Sequence, residues 1–297
     1  MASLTAARSK FSVWARGSAC GIVHFLSSRT FCSKGAIAGK NIEQAVYQET
    51  LLSNPPLLPE IVLNLITPDC RLWWSKVEAT NTWFADPFWA FCWPGGQALS
   101  RYILDNQKVV KGKNIYDVGS GSGVCGIAAC MAGAAHVKAF DIDPVACKIV
   151  ELNATANKVD MEVTCQNILQ ETPDKDPPNV ILLGDMFYDE ALALQMCHWL
   201  KCQLENPQPP MVLIGDPGRW AFCHSTHPFN FRCVAKYLLP PTCKEENNGF
   251  VHSFVWEQWE SILPQEIMTM NVEIHHMTKK ASAKVGQCLR QALPSWV

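Results

Sequence analysis

The sequence predicts an α/β protein built on a doubly wound, mostly parallel, seven-stranded sheet. Three observations lead there. Short apolar runs alternate with helix-patterned stretches from Ile115 to Leu204, the pattern of strands joined by crossover helices. The first run, Ile115 to Val118, enters a turn carrying Gly119, Gly121 and Gly123 and then a small-residue helix. Successive runs end in Asp141-Ile-Asp-Pro144, Gly184-Asp-Met-Phe-Tyr-Asp-Glu190 and Gly215-Asp-Pro-Gly-Arg219, and ligands in such sheets bind at the strands' carboxyl ends.

Taken in order, Ile42 to Leu52 has helical spacing and stops at Ser53-Asn-Pro-Pro56. Pro59 then suits the first turn of a second short helix, Glu60 to Leu65. Aromatic residues crowd Cys70–Trp74 and Asp86–Gly96, and Gly96 to Leu104 is a helix burying Leu99 and Ile103 on one face. Strand Ile115–Val118 leads to helix Val124–Met131. Strand Val137–Phe140 leads to a helix from Pro144 to about Asn157. Glu162–Cys165 is the third strand. Val180–Leu183 is the fourth, followed by a helix to about Leu204, and Met211–Ile214 is the fifth. Phe231–Tyr237 and Phe250–Trp256 read as a closing pair, the latter alternating Val251, Ser253, Val255. The organisation expected is a leader over 1–42, a helical and aromatic segment over 43–112, a cofactor-binding core over 113–259 and an extension over 260–297.

The 297 residues, 48% of them hydrophobic, suffice for one good core. No apolar run is long enough to cross a bilayer, so a soluble protein without a membrane partner is expected. The 14 cysteines are scattered, with no Cys-x-x-Cys, which argues against a metal site and for reduced thiols. The net charge of −2 hides an asymmetry. No acid precedes Glu43, whereas Arg8, Lys10, Arg16, Arg29, Lys34 and Lys40 do, leaving a body of net −8. An Arg-bearing, acid-free leader has the composition of a mitochondrial transit peptide, so the mitochondrial matrix is expected, with the cytoplasm as alternative. The acidic body disfavours nucleic acid as partner and suits a cationic substrate.

The glycine turn can be framed in two ways. As Gly121-x-Gly123-x-x-Gly126, with Asp141 twenty residues past Gly121, it matches a dinucleotide fingerprint. As Asp117-x-Gly119-x-Gly121-x-Gly123 it places an acid at the strand's end. That frame resembles the S-adenosylmethionine site of seven-stranded class I methyltransferases. The donor carries a sulfonium and an ammonium and no phosphate, so a carboxylate such as Asp117 is useful. In that resemblance Asp141 receives both ribose hydroxyls and Asn167, after strand three, touches adenine.

Three further stretches narrow the family. Trp93-Pro-Gly-Gly-Gln-Ala-Leu-Ser-Arg-Tyr102, Gly184–Glu190 and Val212-Leu-Ile-Gly-Asp-Pro-Gly-Arg219 resemble the electron-transfer-flavoprotein β-subunit lysine methyltransferases, over roughly Leu57 to Trp256. The loop departs from that group at Ser122 and Val124-Cys125, and the extension past Glu260 has no counterpart in it. A monomer is expected, and the resemblance implies an enzyme that trimethylates lysines of the flavoprotein β subunit. It implies that Asp185 holds the substrate amine and Tyr188 orients it. Trp93 is the expected cofactor-side contact among Trp83, Phe84, Phe88, Trp89, Phe91 and Trp93. Arg219 either grips an acidic patch of the substrate or caps a turn. Two other classes stay open from the residues: a methyltransferase for a nucleic acid or small molecule, although Asp185-Met-Phe-Tyr stands where base methylation usually has an Asn/Asp-Pro-Pro-aromatic tetrad, and a non-catalytic scaffold, although Asp117, Asp141 and Asp185 are all present.

Overall fold

A computed structural model describes residues 42–74, 87–172, 177–224, 230–241 and 249–259. The leader, the extension, Trp83 and Phe84 lie outside the described residues. Six α-helices are described: α1 (Ile42–Glu49), α2 (Pro94–Asp105), α3 (Val124–Met131), α4 (Pro144–Ala156), α5 (Glu190–Leu204) and α6 (Trp220–His224). The strands are β1 (Leu51–Ser53), β2 (Leu63–Leu65), β3 (Asn114–Val118), β4 (His136–Asp141), β5 (Glu162–Cys165), β6 (Val180–Gly184), β7 (Met211–Asp216), β8 (Asn230–Leu238) and β9 (His252–Trp259).

Strands β3 to β9 form one seven-stranded sheet in the order β5-β4-β3-β6-β7-β9-β8. Neighbours from β5 to β7 pair parallel, and β9 runs antiparallel to β7. The order reverses between β3 and β6, so the ends of β3, β4 and β6 flank the switch point where a doubly wound sheet holds its ligand. Alternation along each strand splits the core. Ile115, Val180, Leu182 and Leu213 face α2 and α3, together with Leu99, Ile103 and Ile127. Val118, Ile181, Leu183, Val212 and Ile214 face the opposite side, with Phe187, Met196 and Leu200. Strands buried on both faces read as unbroken apolar runs, which is why β6 and β7 stood out in the sequence.

The N-terminal segment differs from expectation. Helix α1 ends at Glu49, because Thr50 turns back to bond the Val46 carbonyl through both N–H and Oγ1. The expected helix over Glu60–Leu65 is absent: Leu63–Leu65 is a strand, antiparallel to Leu51–Ser53. Asn54 Nδ2 closes that hairpin by donating to the carbonyls of Pro59 and Ile61, so Pro59 serves a loop and no helix. The buried Ile61, Leu63 and Leu65 recur every second residue, a strand period that the proline cue outweighed. Helix α6 was not foreseen, and Val251 lies before β9 and is exposed while Ser253 and Val255 are buried.

The hairpin is fastened to α4 by two asparagines: Asn157 Oδ1 accepts from Val62 N and its Nδ2 donates to the Val62 carbonyl, and Asn153 forms a buried polar network. Asn153 Oδ1, on α4, accepts from Asn64 N and Nδ2, and Asn153 Nδ2 donates to the Ser122 carbonyl at 2.8 Å. Ser122 belongs to the glycine turn, so this network links the N-terminal segment to the loop. No helix among the described residues is long and apolar enough to cross a membrane. The ten described cysteines are free thiols, five of them buried.

Candidate active site

The glycine turn spans Gly119 to Gly123 between β3 and α3. Gly119, Gly121 and Gly123 have φ of 65°, 53° and 79°, left-handed values that cost little only for glycine. A Cβ on Gly119 would stand 2.0 Å from Met186 Sδ, whereas one on Gly121 would meet nothing nearer than 4.0 Å. The turn is therefore closed against the β6–α5 loop at Gly119 and open at Gly121. Ser120 Oγ, in the same turn, is buried with no hydrogen-bond partner among the described residues, and a buried hydroxyl in that condition awaits one.

Asp117 lies beneath the turn, 2% exposed, with Oδ2 accepting from Gly126 N at 2.9 Å. Gly126 is the third residue of α3, whose N-cap, Gly123, has no side chain to offer. Asp117 thus supplies a helix cap from the neighbouring strand. Burial, with a smaller contribution from Asp141, pushes its carboxyl up to about 7 against the pull of the Gly126 hydrogen bond. It acts on a ligand through its field, from below, and not as an exposed contact. Asp141, at the tip of β4, accepts from Gly121 N at 2.9 Å and from Asp143 N at 3.0 Å; burial raises its pKa. Each oxygen keeps a free acceptor direction for a hydroxyl. Asn167 Oδ1 accepts from Leu169 N and caps the short 3-10 turn Ile168–Gln170, with its amide left to point elsewhere.

The second half of the site lies at the ends of β6 and β7. Asp185 is 5% exposed and has φ 58°, unusual for a non-glycine. Its Oδ2 accepts from Gly96 N at 2.8 Å, capping α2, whose N-cap Trp93 has no side-chain bond to give. Its Oδ1 accepts from Arg219 Nε and Nη2 at 3.1 and 2.7 Å. Arg219 therefore grips Asp185, neither a turn nor an outward patch, which corrects both expectations for it. Gly95 and Gly215 make this possible, since a Cβ on either would stand about 2 Å from the other's carbonyl oxygen. Asp216 Oδ1 accepts from Gly218 N and Arg219 N, both at 2.7 Å, while Oδ2 is buried without a partner among the described residues. Burial and then Asp185 push Asp216 up to about 7.

Tyr188 is exposed, and crowding around its hydroxyl, then the charges of Asp141 and Asp189, push it up to about 12. It is a neutral hydrogen-bonding group at any working pH. Trp93 is half-buried, with Nε1 donating to the Phe88 carbonyl and its ring 6.0 Å from the Arg219 guanidinium carbon; that places it beside Asp185 and Arg219. Trp89 is core, and Phe91 packs on Trp93 with centroids 5.5 Å apart. Sequence reasoning missed Asp216, Asn153, Gly95 and Gly215. Their signals were a polar residue ending an apolar run, an asparagine on a helix's buried face and glycines at strand and helix ends.

A carboxylate flooring the turn repels a pyrophosphate and attracts a sulfonium or ammonium, while Asp141 and the open Gly121 suit a ribose and the orphan Ser120 hydroxyl a polar group. The residues fit S-adenosylmethionine, and fold and site define a class I methyltransferase that uses it as methyl donor. The sequence comparisons with known proteins agree. A family profile for ribosomal protein L11 methyltransferase (PrmA) matches residues 97–183. The chain is 43% identical over 214 residues to the electron transfer flavoprotein beta subunit lysine methyltransferase of Xenopus laevis, covering 71% of this chain and 84% of that one. It is 45% identical to the Homo sapiens protein, over 69% and 76% of the two chains, and 38% identical to the Danio rerio protein, over 84% and 93%. A solved ribosomal protein L11 methylase from Lactobacillus delbrueckii subsp. bulgaricus superposes more distantly, with TM-score 0.37 and 18% identity over 55% of this chain and 78% of that one. This chain belongs to the electron transfer flavoprotein beta subunit lysine methyltransferase family, and it is a lysine methyltransferase.

Proposed function

We propose that this chain trimethylates lysine side chains of the electron transfer flavoprotein β subunit in the mitochondrial matrix. One observation carries the substrate half of that reading: the three stretches resembling this narrow family meet at one place. Gly96 from the first, Asp185 from the second and Arg219 from the third are joined through a single carboxylate. Identity at 43% to relatives bearing that name and the net −8 body, suited to a lysine-bearing surface, support it. The acid-free leader supports the matrix.

Gly119, Gly121, Gly123 and Asp141 would hold the donor, with Asp117 balancing its charge from below and Trp93 and Asn167 bordering it. When bound, the donor would supply an electrophilic methyl to the amine lone pair, sulfur taking the electrons of the S–C bond and solvent the proton that the nitrogen loses. The protein's part is to bring a neutral amine there. Lysine titrates near 10.4, so at about pH 8 deprotonation costs roughly 3 kcal/mol. A site that excludes water, with Asp185 accepting one amine hydrogen and Tyr188 orienting the chain, lowers that cost and fixes the approach.

The test uses the full chain with isotopically labelled S-adenosylmethionine, the flavoprotein, bulk RNA and histones. Label on the β subunit, resolved by mass spectrometry as trimethyllysine, is the expected result. Label on RNA with none on the flavoprotein sinks it. Import into isolated mitochondria, followed by sequencing of the new N-terminus, tests the compartment.

A further inference from the structure

A carboxylate alone beside a substrate lysine presents a difficulty. It stabilises the ammonium form, raises its pKa, and that form has no lone pair with which to attack. Asp185 does not stand alone. Arg219 takes its Oδ1 with two nitrogens and Gly96 N–H takes its Oδ2, so Oδ2 has one described donor of the two a carboxylate oxygen can accept, while the charge is matched. The guanidinium stays protonated at any working pH.

The pairing is built from several sides. Asp216 Oδ1 receives the backbone N–H groups of Gly218 and Arg219, which fixes the loop that aims the side chain. The guanidinium carbon sits 6.0 Å from the Trp93 ring and 5.8 Å from the Phe250 ring, within reach of cation–π attraction. The arginine side chain is only 16% exposed and that of Asp185 5%. The other titratable groups within electrostatic reach of this pair are Asp216 from the end of β7, Cys125 from α3 and Tyr188 from the β6–α5 loop, the last also felt by Asp141 and Asp189. Each of these is neutral or negative; the positive charge comes from Arg219.

We infer that Arg219 is a positioning residue that cancels the charge of Asp185, so that this carboxylate orients an incoming lysine as a hydrogen-bond acceptor without trapping it as an ammonium ion. The inference rests on the lysine-directed reading of the site and concerns how that site selects the reactive protonation state. It also accounts for the left-handed backbone of Asp185, because the φ of 58° turns its carboxylate toward both Gly96 and Arg219.

The experiment measures kcat and kcat/KM against pH, from about 7 to about 10, across the lysine titration. It compares wild type, Arg219→Gln, Arg219→Lys and the double variant Asp185→Asn/Arg219→Gln, using the full chain, the flavoprotein β subunit and S-adenosylmethionine. Arg219→Gln is expected to move the acidic limb of kcat up by about one unit, so that the deficit is roughly tenfold at pH values below the limb and narrows as pH rises through it. Arg219→Lys keeps the charge and leaves the limb in place. The double variant keeps the net charge of the pair at zero, as in wild type, with Asp216 unchanged, and its limb stays at the wild-type position however low its kcat. A uniform loss at every pH in Arg219→Gln, or a limb displaced as far in Arg219→Lys or in the double variant, overturns the inference. Failure of wild type to methylate any lysine overturns the substrate reading and this inference with it. Wild-type turnover with an unshifted Arg219→Gln limb overturns the inference alone.

Discussion

Helices α2 and α3 both begin without a side chain at the N-cap that bonds the first turn, and each takes a carboxylate from a neighbouring strand end. For α3 the acid is Asp117 on the Gly126 N–H, and for α2 it is Asp185 on the Gly96 N–H. In both cases the third helical residue is a glycine; a Cβ on Gly126 would stand 3.0 Å from Asp117 Oδ2, and in α2 it is a Cβ on Gly95, the second residue, that would stand 2.6 Å from Asp185 Oδ2. The two differ in what else they meet. Asp185 also holds Arg219 by two hydrogen bonds. Asp117 has only the amide as a bonded partner among the described residues and is pushed up to about 7 by burial. The same capping device therefore leaves one capping carboxylate paired with a guanidinium and the other without a cationic partner among the described residues. That asymmetry matches a reaction in which a cationic donor binds at one end and a neutral amine must arrive at the other.

Breaking the neutralised end should have the largest effect. Asp185→Ala removes the α2 cap and leaves Arg219 largely buried without its carboxylate, a class of change that costs about 3–5 kcal/mol of stability. Turnover should fall by about 100-fold or more, because the group that positions the amine is gone. Calorimetry should still detect S-adenosylmethionine binding to the folded fraction. Loss of binding along with turnover would show that Asp185 serves the cofactor end too, and the two-ended division would fail.

At the other end, Gly119→Ala combines a left-handed backbone with a Cβ placed 2.0 Å from Met186 Sδ. The expected cost is about 1–3 kcal/mol in stability, read by denaturant unfolding. Cofactor affinity should drop at least about tenfold as the turn shifts. Gly121→Ala makes the sharper control, having open space but the same left-handed backbone. If both weaken binding equally, backbone strain and not the Met186 contact sets the loop.

The charge difference itself predicts a pH dependence. A carboxyl raised from about 4 to about 7 in the folded protein binds more protons folded than unfolded over that window. Stability is therefore expected to fall as pH rises from about 4 to about 7, and to level above it, as far as Asp117 is concerned. Asp216, also pushed up to about 7, adds in the same direction. A bound cation favours ionised Asp117, so donor affinity should tighten roughly tenfold between about pH 6 and pH 8, with proton release on binding. Calorimetry in two buffers of different ionisation enthalpy measures that release. In Asp117→Asn it should vanish; its persistence would assign the proton to another group.

Much of the core was legible in the residues because its strands are buried on both faces and its helices follow at regular spacing. β5 and α3 fall at their expected bounds, Glu162–Cys165 and Val124–Met131. The site was legible in its chemical types and less so in its partners. Asp117, Asp141 and Asp185 announced themselves as acids at strand ends, but nothing local in the sequence says that Asp185 meets an arginine 34 positions away. Such pairing is set by strand order, through adjacency of β6 and β7. The N-terminal segment was misread for a related reason. Whether Ile61, Leu63 and Leu65 form a strand depends on a partner, β1, and on Asn54 closing the loop between them. Proline placement is a local cue, and here a non-local pairing decided the outcome.

Asn153 offers the smallest and most selective test of the same division. Its side chain is fully buried, takes two hydrogen bonds from Asn64 and gives one to the Ser122 carbonyl of the glycine turn. It carries no charge, so it acts on the cofactor end only through position. Asn153→Ala leaves Asn64 N–H and Nδ2 buried without that acceptor and the Ser122 carbonyl without that donor, for a cost of about 2–3 kcal/mol. Donor affinity should weaken about threefold to fivefold as the turn loosens, a loss of roughly 1 kcal/mol. The pH dependence of binding should stay as in wild type, since Asp117 keeps its burial and its Gly126 bond. Turnover at saturating donor should also stay near wild type, because Asp185, Arg219 and Tyr188 are held by other elements. Fluorescence-monitored binding across pH, paired with kcat at saturation, separates the cases. A drop in kcat at saturation would mean that the hairpin holds the amine end as well, through the sheet and not through the turn alone.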